Sequence, residues 1–199
     1  VGLFDKYSAD TIPENASSGL SNIYIDKDVG ITKRKGYIKD YSTFTLGAYP
    51  VKLGYEYIKE NGARYKVSLT SRTYYYTDST SSNTITTSAT DNDPWIVTYT
   101  DKIYVGNVIE NAWNWDGSTV LVSSWIPKCE IACVYANRLW IANETGSGSI
   151  LYWSGLYNHW FDEVDDWRYI YPQDGTPIKA MKAYGNKLII WKEYSTWML

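Results

Sequence analysis

One short pattern occurs three times in this sequence. Tyr99-Thr100-Asp101-Lys102-Ile103-Tyr104-Val105, Tyr135-Ala136-Asn137-Arg138-Leu139-Trp140-Ile141 and Tyr184-Gly185-Asn186-Lys187-Leu188-Ile189-Ile190 each read tyrosine, a small residue, Asn or Asp, a cation, then three apolar residues. The copies start 36 and 49 residues apart. A second match trails each copy: Asn111-Ala112-Trp113-Asn114-Trp115 loosely, then Ser149-Ile150-Leu151-Tyr152-Trp153 and Tyr194-Ser195-Thr196-Trp197-Met198. Each unit therefore reads strand, tight turn, strand, loop, strand. A period of roughly 40 to 50 residues with several strands per unit predicts β-propeller blades.

Burial pattern points the same way. In Cys129–Ala136 one face carries Cys129, Ile131, Cys133 and Tyr135, and the other Glu130, Ala132, Val134 and Ala136. Both faces are largely apolar, whereas a sheet with one wet face alternates cleanly. Stacked blades bury both faces. A β-sandwich with a doubly covered central strand is the alternative. The fold class expected is all-β: propeller blades of antiparallel strands with an N-terminal arm. Three or four blades fall short of most rings of four to eight. The propeller is therefore expected to be incomplete here and the chain to be a fragment or a cleaved product, as the opening Val1 and the strand-like ending Ser195–Leu199 also indicate.

Residues 1–45 read as the arm and 46–199 as the blades. Thr11-Ile12-Pro13 has the form of a helix start, giving a short helix over Pro13–Leu20. Asn22–Asp26 and Ile31–Lys35 read as two strands joined at Lys27–Gly30. Further on, Glu60-Asn61-Gly62 marks a hairpin between Tyr55–Lys59 and Arg64–Leu69. Ser79–Thr90, with nine Ser or Thr in twelve residues, reads as an exposed loop or hairpin tip.

Composition narrows the function classes. Tyr 20, Trp 10 and Phe 3 make 17% aromatic, which with many Thr and Val favours strands. The net charge of -3 argues against a surface that coats nucleic acid. One His and two Cys leave no multi-disulfide scaffold and no usual zinc set. Cys129 and Cys133 on one strand face would lie about 13 Å apart, too far to bridge, so both are expected as free thiols. No stretch approaches the roughly 18 apolar residues that span a bilayer.

Candidate chemical groups each have a plainer reading. Asp162-Glu163-Val164-Asp165-Asp166 suits a Ca²⁺ loop or a glycosidase acid pair, yet reads better as a solvated loop. Asp91-Asn92-Asp93-Pro94 reads as a turn. His159, among Tyr157, Trp160 and Phe161, lacks identifiable triad partners and is expected to pack. Trp113, Trp115, Trp125, Trp153, Trp160 and Trp167 either stack on sugars or fill the wedges between blades, the second being favoured. Trp115 and Asp116, in Asn114–Ser118, form the best loop for a ligand contact. Lys33, Arg34 and Lys35 form a cationic triplet suited to docking on an acidic neighbour or to protecting an edge strand. No catalytic, cofactor-binding or metal-binding residues are assigned, and no enzyme activity is expected.

Ile12-Pro13, Ala16-Ser17, Asn22, Asp26, Gly30 and Lys33-Arg34-Lys35-Gly36-Tyr37 resemble the opening of bacteriophage tail proteins, especially the nozzle or tail-tube proteins of short-tailed phages. Lys187-Leu188-Ile189-Ile190-Trp191-Lys192-Glu193-Tyr194-Ser195-Thr196-Trp197 is similar to a recurring blade edge of that group. The chain departs from the pattern at Val29-Gly30, where Asp-Gly is commoner, and at Arg34-Lys35, where Arg-Pro is common. The resemblance implies a virion structural protein of the tail, assembled in the host cytoplasm. It implies a homo-oligomeric ring around the DNA exit channel, docked on other tail or head–tail connector proteins. DNA would pass without specific binding, as a mildly acidic chain allows. A carbohydrate-binding propeller for host receptor recognition is the alternative, and a glycosidase propeller the third class.

Overall fold

The repeated pattern forms the innermost hairpin of three successive sheets. The structure, a computed structural model, describes residues 23–26, 30–33, 51–70, 73–78, 82–86, 93–161 and 165–199. It divides into two compact units, Val1–Ser42 and Thr43–Leu199. In the first unit β1 (Ile23–Asp26) pairs antiparallel with β2 (Gly30–Lys33), Ile23 opposite Lys33 and Asp26 opposite Gly30. The arm hairpin thus forms where its alternation places it. The expected helix over Pro13–Leu20, and the residues Arg34 and Lys35, lie outside the described residues.

The second unit holds four antiparallel sheets arranged as a propeller, with strands paired in chain order. Blade 1 is β3 (Leu53–Ile58), β4 (Arg64–Leu69), β5 (Tyr74–Thr77) and β6 (Ser82–Thr86). Blade 2 is β7 (Trp95–Tyr99), β8 (Lys102–Gly106), β9 (Ala112–Trp115) and β10 (Val120–Ser123). Blade 3 is β11 (Cys129–Tyr135), β12 (Arg138–Glu144), β13 (Ser147–Trp153) and β14 (Trp167–Tyr169). Blade 4 is β15 (Ile178–Tyr184), β16 (Lys187–Lys192) and β17 (Thr196–Met198). The innermost strands β3, β7, β11 and β15 line one central cavity of about 470 Å³, with Tyr55, Thr98, Cys133 and Lys182 on its wall.

Turn chemistry explains the repeat. Thr100 and Asp101 have φ of 47° and 52°, and Ala136 and Asn137 have 48° and 55°. Both central residues of these two-residue turns are left-handed, the geometry that matches strand twist in a tight hairpin. Asn and Asp tolerate it best among residues with a side chain, and Gly185 (φ 59°) meets it in the fourth blade.

Three apolar seams join the blades. Between blades 1 and 2, Tyr57, Val67, Leu69 and Tyr74 meet Ile103, Val105, Trp113 and Trp115. Trp95, Tyr99 and Tyr104 of blade 2 meet Cys129, Leu139 and Ile141 of blade 3. Cys133, Ala142 and Leu151 of blade 3 meet Ile178, Met181, Leu188 and Ile190 of blade 4. The doubly apolar Cys129–Tyr135 strand therefore contributes to two seams.

Two expectations change. Cys129 and Cys133 do not share a face: Cys129 lies in the seam with blade 2 and Cys133 in the seam with blade 4. The sheet is kinked at Asn143 (φ 64°), where the β12–β13 register shifts, and Cys129 pairs with Glu144 beyond that kink. Both thiols are free and buried. Burial, joined by the Glu144 charge, holds the Cys129 thiol well above its usual range. The second change is Ser82–Thr86, which is the outer strand of blade 1 and not a loop. Ile85 packs on the first seam, and β-branched Thr84 and Thr86 suit a pleated edge.

Candidate functional site

Aromatic residues either close the seams or open onto the surface, and position in the blade decides which. Trp115 is 2% exposed, its ring centroid 5.9, 5.1 and 4.7 Å from those of Tyr57, Tyr65 and Tyr76. Trp113 is buried edge-on against Tyr74 at 4.9 Å. Trp153 is half-buried beside Trp140 at 5.5 Å. Trp125, Trp160 and Trp167 are exposed. Three of the six tryptophans singled out by sequence thus belong to blade packing and three to the surface.

Asn114–Ser118 is built into blade 2. Trp115 is covered as described. The Asp116 carboxylate accepts the backbone N–H groups of Thr119 (2.8 Å) and Ser118 (2.9 Å) and the Ser118 hydroxyl (2.8 Å). Those bonds, with that to Thr119 strongest, lower its pKa to about 2. Its carbonyl accepts Lys59 Nζ from blade 1 at 2.6 Å. Asp116 thus fastens its own turn and the first seam.

Two of the exposed rings, Trp125 and Trp167, line a second feature. A cavity of about 310 Å³ lies among Trp125, Pro127, Glu144, Tyr152, Phe161 and Trp167. The Tyr152 hydroxyl donates to Glu144 Oε2 at 2.6 Å. Burial and that carboxylate hold the Tyr152 phenol protonated, well above its usual range. Trp125 (57% exposed) faces Trp160 (55%) at 5.6 Å and 38°. Trp167 meets Tyr169 edge-on at 5.5 Å. Flat apolar faces beside one carboxylate and one phenol offer stacking plus fixed hydrogen bonds.

The remaining candidates are placed as follows. His159 lies between Tyr104 (5.6 Å) and Trp160 (6.1 Å), and burial, then Lys102, lowers its pKa. It is a neutral ring packed among rings. Asp162–Val164 lie outside the described residues; Asp165 and Asp166 lead into β14, and the Asp166 carbonyl accepts the Trp153 N–H at 3.0 Å. Lys33 ends β2, and nothing is described of its side chain. Among the described residues, no three His, Cys, Asp or Glu side chains converge to hold a metal ion. No described helix is long and apolar enough to cross a membrane.

A group missed by sequence reading is the tyrosine that opens the repeat. Tyr57 Oη donates to the Asp101 carbonyl at 2.6 Å, Tyr99 Oη to the Asn137 carbonyl at 2.9 Å, and Tyr135 Oη to the Asn186 carbonyl at 2.5 Å. Each bond runs from one blade to the second turn residue of the next. Asp101 adds an Oδ1 that accepts the Glu60 N–H at 2.8 Å. Lys192 was missed as well. Its side chain is fully buried, and Nζ donates to Ser149 Oγ (3.1 Å), the carbonyls of Ile170 (2.9 Å) and Tyr171 (2.8 Å), and Asp174 Oδ1 (2.5 Å). Compared with protein-family models and with curated protein sequences, the chain matches none.

Proposed function

We propose that this protein is a structural part of a bacteriophage tail that acts by assembly and not by catalysis. The reading is supported by an arm whose sequence resembles the opening of tail nozzle proteins, followed by propeller blades whose polar end groups are engaged in fastening blade to blade. Such a part has to be rigid, and the seams provide rigidity. A central cavity of about 470 Å³ is too small for a duplex. Under this reading DNA runs through a ring of copies beside connector proteins, not through the propeller axis. A net charge of -3 lets it pass without tight phosphate contacts. The test is native mass spectrometry with electron microscopy at near-physiological salt. A closed ring of copies is expected, with no shift of duplex DNA in a mobility assay. A stable monomer, or a tight salt-sensitive DNA complex, overturns the reading.

The second reading is carbohydrate binding for receptor recognition, favoured by the exposed Trp125 and Trp167 beside Glu144 and Tyr152, with Trp160 next to Trp125. It predicts that a glycan found on an array quenches tryptophan emission, and that Trp167→Ala weakens binding at least tenfold while leaving the melting temperature close to that of the parent. An array without a hit removes it.

A further inference from the structure

The seam between blades 2 and 3 opens at its outer end. Strand register sets Ile141, Tyr152 and Trp167 side by side on the blade 3 face turned to blade 2. Ile141 and Phe161 fill the seam, Tyr152 packs at its edge, and Trp167 stands 37% exposed beyond it. The β10–β11 connection brings Trp125 and Pro127 over the same spot, leaving the cavity of about 310 Å³ between them. That volume lies at the small end of ligand sites, about 300–1,000 Å³. Its rings are held from outside. Trp125 rests on Trp160 at 5.6 Å, and Trp167 meets Tyr169 at 5.5 Å.

Among these rings stands a carboxylate that plain alternation would not place there. Glu144 lies three residues after Ile141, so a regular strand would send it to the opposite face. The left-handed Asn143 (φ 64°) reverses the alternation, and Glu144 Oε2 accepts the Tyr152 hydroxyl at 2.6 Å. Glu144 is half-buried, and among the described residues no lysine or arginine pairs with it. The ion pairs described join Arg64 to Glu56 and Lys192 to Asp174. A neighbouring cavity, which Glu144 also lines, adds Asp93 and Glu130 and no cationic side chain.

We infer that the cavity binds an organic cation of the trimethylammonium class, with Trp125, Tyr152, Phe161 and Trp167 as its cage and Glu144 as its counter-ion. Aromatic faces carry negative potential and hold such cations where water is excluded. A half-buried carboxylate without a cationic partner adds to the same preference. A calcium ion needs six to eight oxygen ligands, and this cavity offers one carboxylate. A guanidinium binds best with its fork on both carboxylate oxygens, and Oε2 already holds the Tyr152 proton. A cation without N–H groups has no fork to satisfy. The inference is independent of tail assembly. It also differs from the carbohydrate reading in requiring positive charge, so choline binding and a glycan-array hit are separate results.

The test titrates the whole chain with three probes, read by tryptophan emission and calorimetry at low salt. They are choline, its uncharged isostere with a tert-butyl group in place of trimethylammonium, and N-acetylarginine amide. Choline is expected to bind saturably with a dissociation constant of about 1 mM or tighter. The isostere is expected to bind at least about fivefold more weakly, because it keeps the shape and loses the charge. Glu144→Gln keeps an acceptor for Tyr152, and Trp125→Ala alters an exposed ring. Each is expected to weaken choline at least about fivefold with a melting temperature close to that of the parent. Phosphatidylcholine and phosphatidylglycerol vesicles separate the sources. Flotation with the first alone supports a lipid head group, and choline binding without flotation supports a soluble ligand. The proposal is overturned by an unsaturable choline titration, by equal affinity for the isostere, or by tighter binding of the arginine amide. Parental affinity in both variants overturns it as well.

Discussion

Gly106 sits under the Trp95 indole where the second blade meets the third. A Cβ added there would lie 2.4 and 2.8 Å from the ring carbons and 3.1 Å from Ala112 Cβ. The ring cannot retreat, because Trp95 Nε1 donates to the Cys129 carbonyl at 2.9 Å inside the seam. Gly106→Ala is therefore expected to destabilise the fold by about 1–3 kcal/mol, the usual effect of overpacking, measured by denaturant unfolding. Unchanged stability would mean that the indole is loosely held. Lys192 shows a different residue-scale lesson. It falls on the same strand face as Leu188 and Ile190, so its burial follows from alternation. Its four acceptors come from β13 and from the loop around Asp174, and no local pattern announces them.

At the scale of the element, the inner hairpin is the unit that couples blades. Tyr57 is wholly buried, and its hydroxyl reaches the Asp101 carbonyl. Tyr57→Phe leaves that carbonyl without its donor and is expected to cost about 1–2 kcal/mol. Tyr184→Phe, at the exposed end of the series, is expected to change stability by less than about 0.5 kcal/mol. Equal effects in thermal unfolding would show that the bonds between blades contribute nothing. These inner hairpins are legible in sequence because left-handed turns restrict the residue choice sharply. Outer strands are less so. Ser82–Thr86 has the composition of a loop and becomes a strand by pairing with β5 and resting Ile85 on the first seam. Strand β9 has all four residues buried, so Ala112-Trp113-Asn114-Trp115 gives no alternation to read. Trp115 and Trp125 look equivalent in sequence, and only the position of the neighbouring blade makes one a core residue and the other a surface ring.

Across the whole molecule, blade 4 is covered on one face, and its junction to blade 3 includes an ionic tie. Burial alone would raise the Asp174 pKa, but Lys192, the Thr176 N–H at 3.0 Å and the Lys192 charge bring it below the usual carboxylate value. A carboxylate lowered in the folded state contributes stability that is fully present above its unfolded pKa of about 3.9 and is lost as pH falls through the folded value. Acid should therefore loosen blade 4 against blade 3 before it reaches the second seam, which rests on apolar contacts. Asp174→Asn makes the sign testable. Near pH 7 the variant lacks the ion pair and should melt below the parent. As pH falls below about 4 the parent loses the same contribution, so the two melting curves should converge. A gap that stays constant or widens with acidification would show that Asp174 acts through packing and not through its charge. In that case the exchange of β15–β17 amides would not respond to pH differently from that of blade 2.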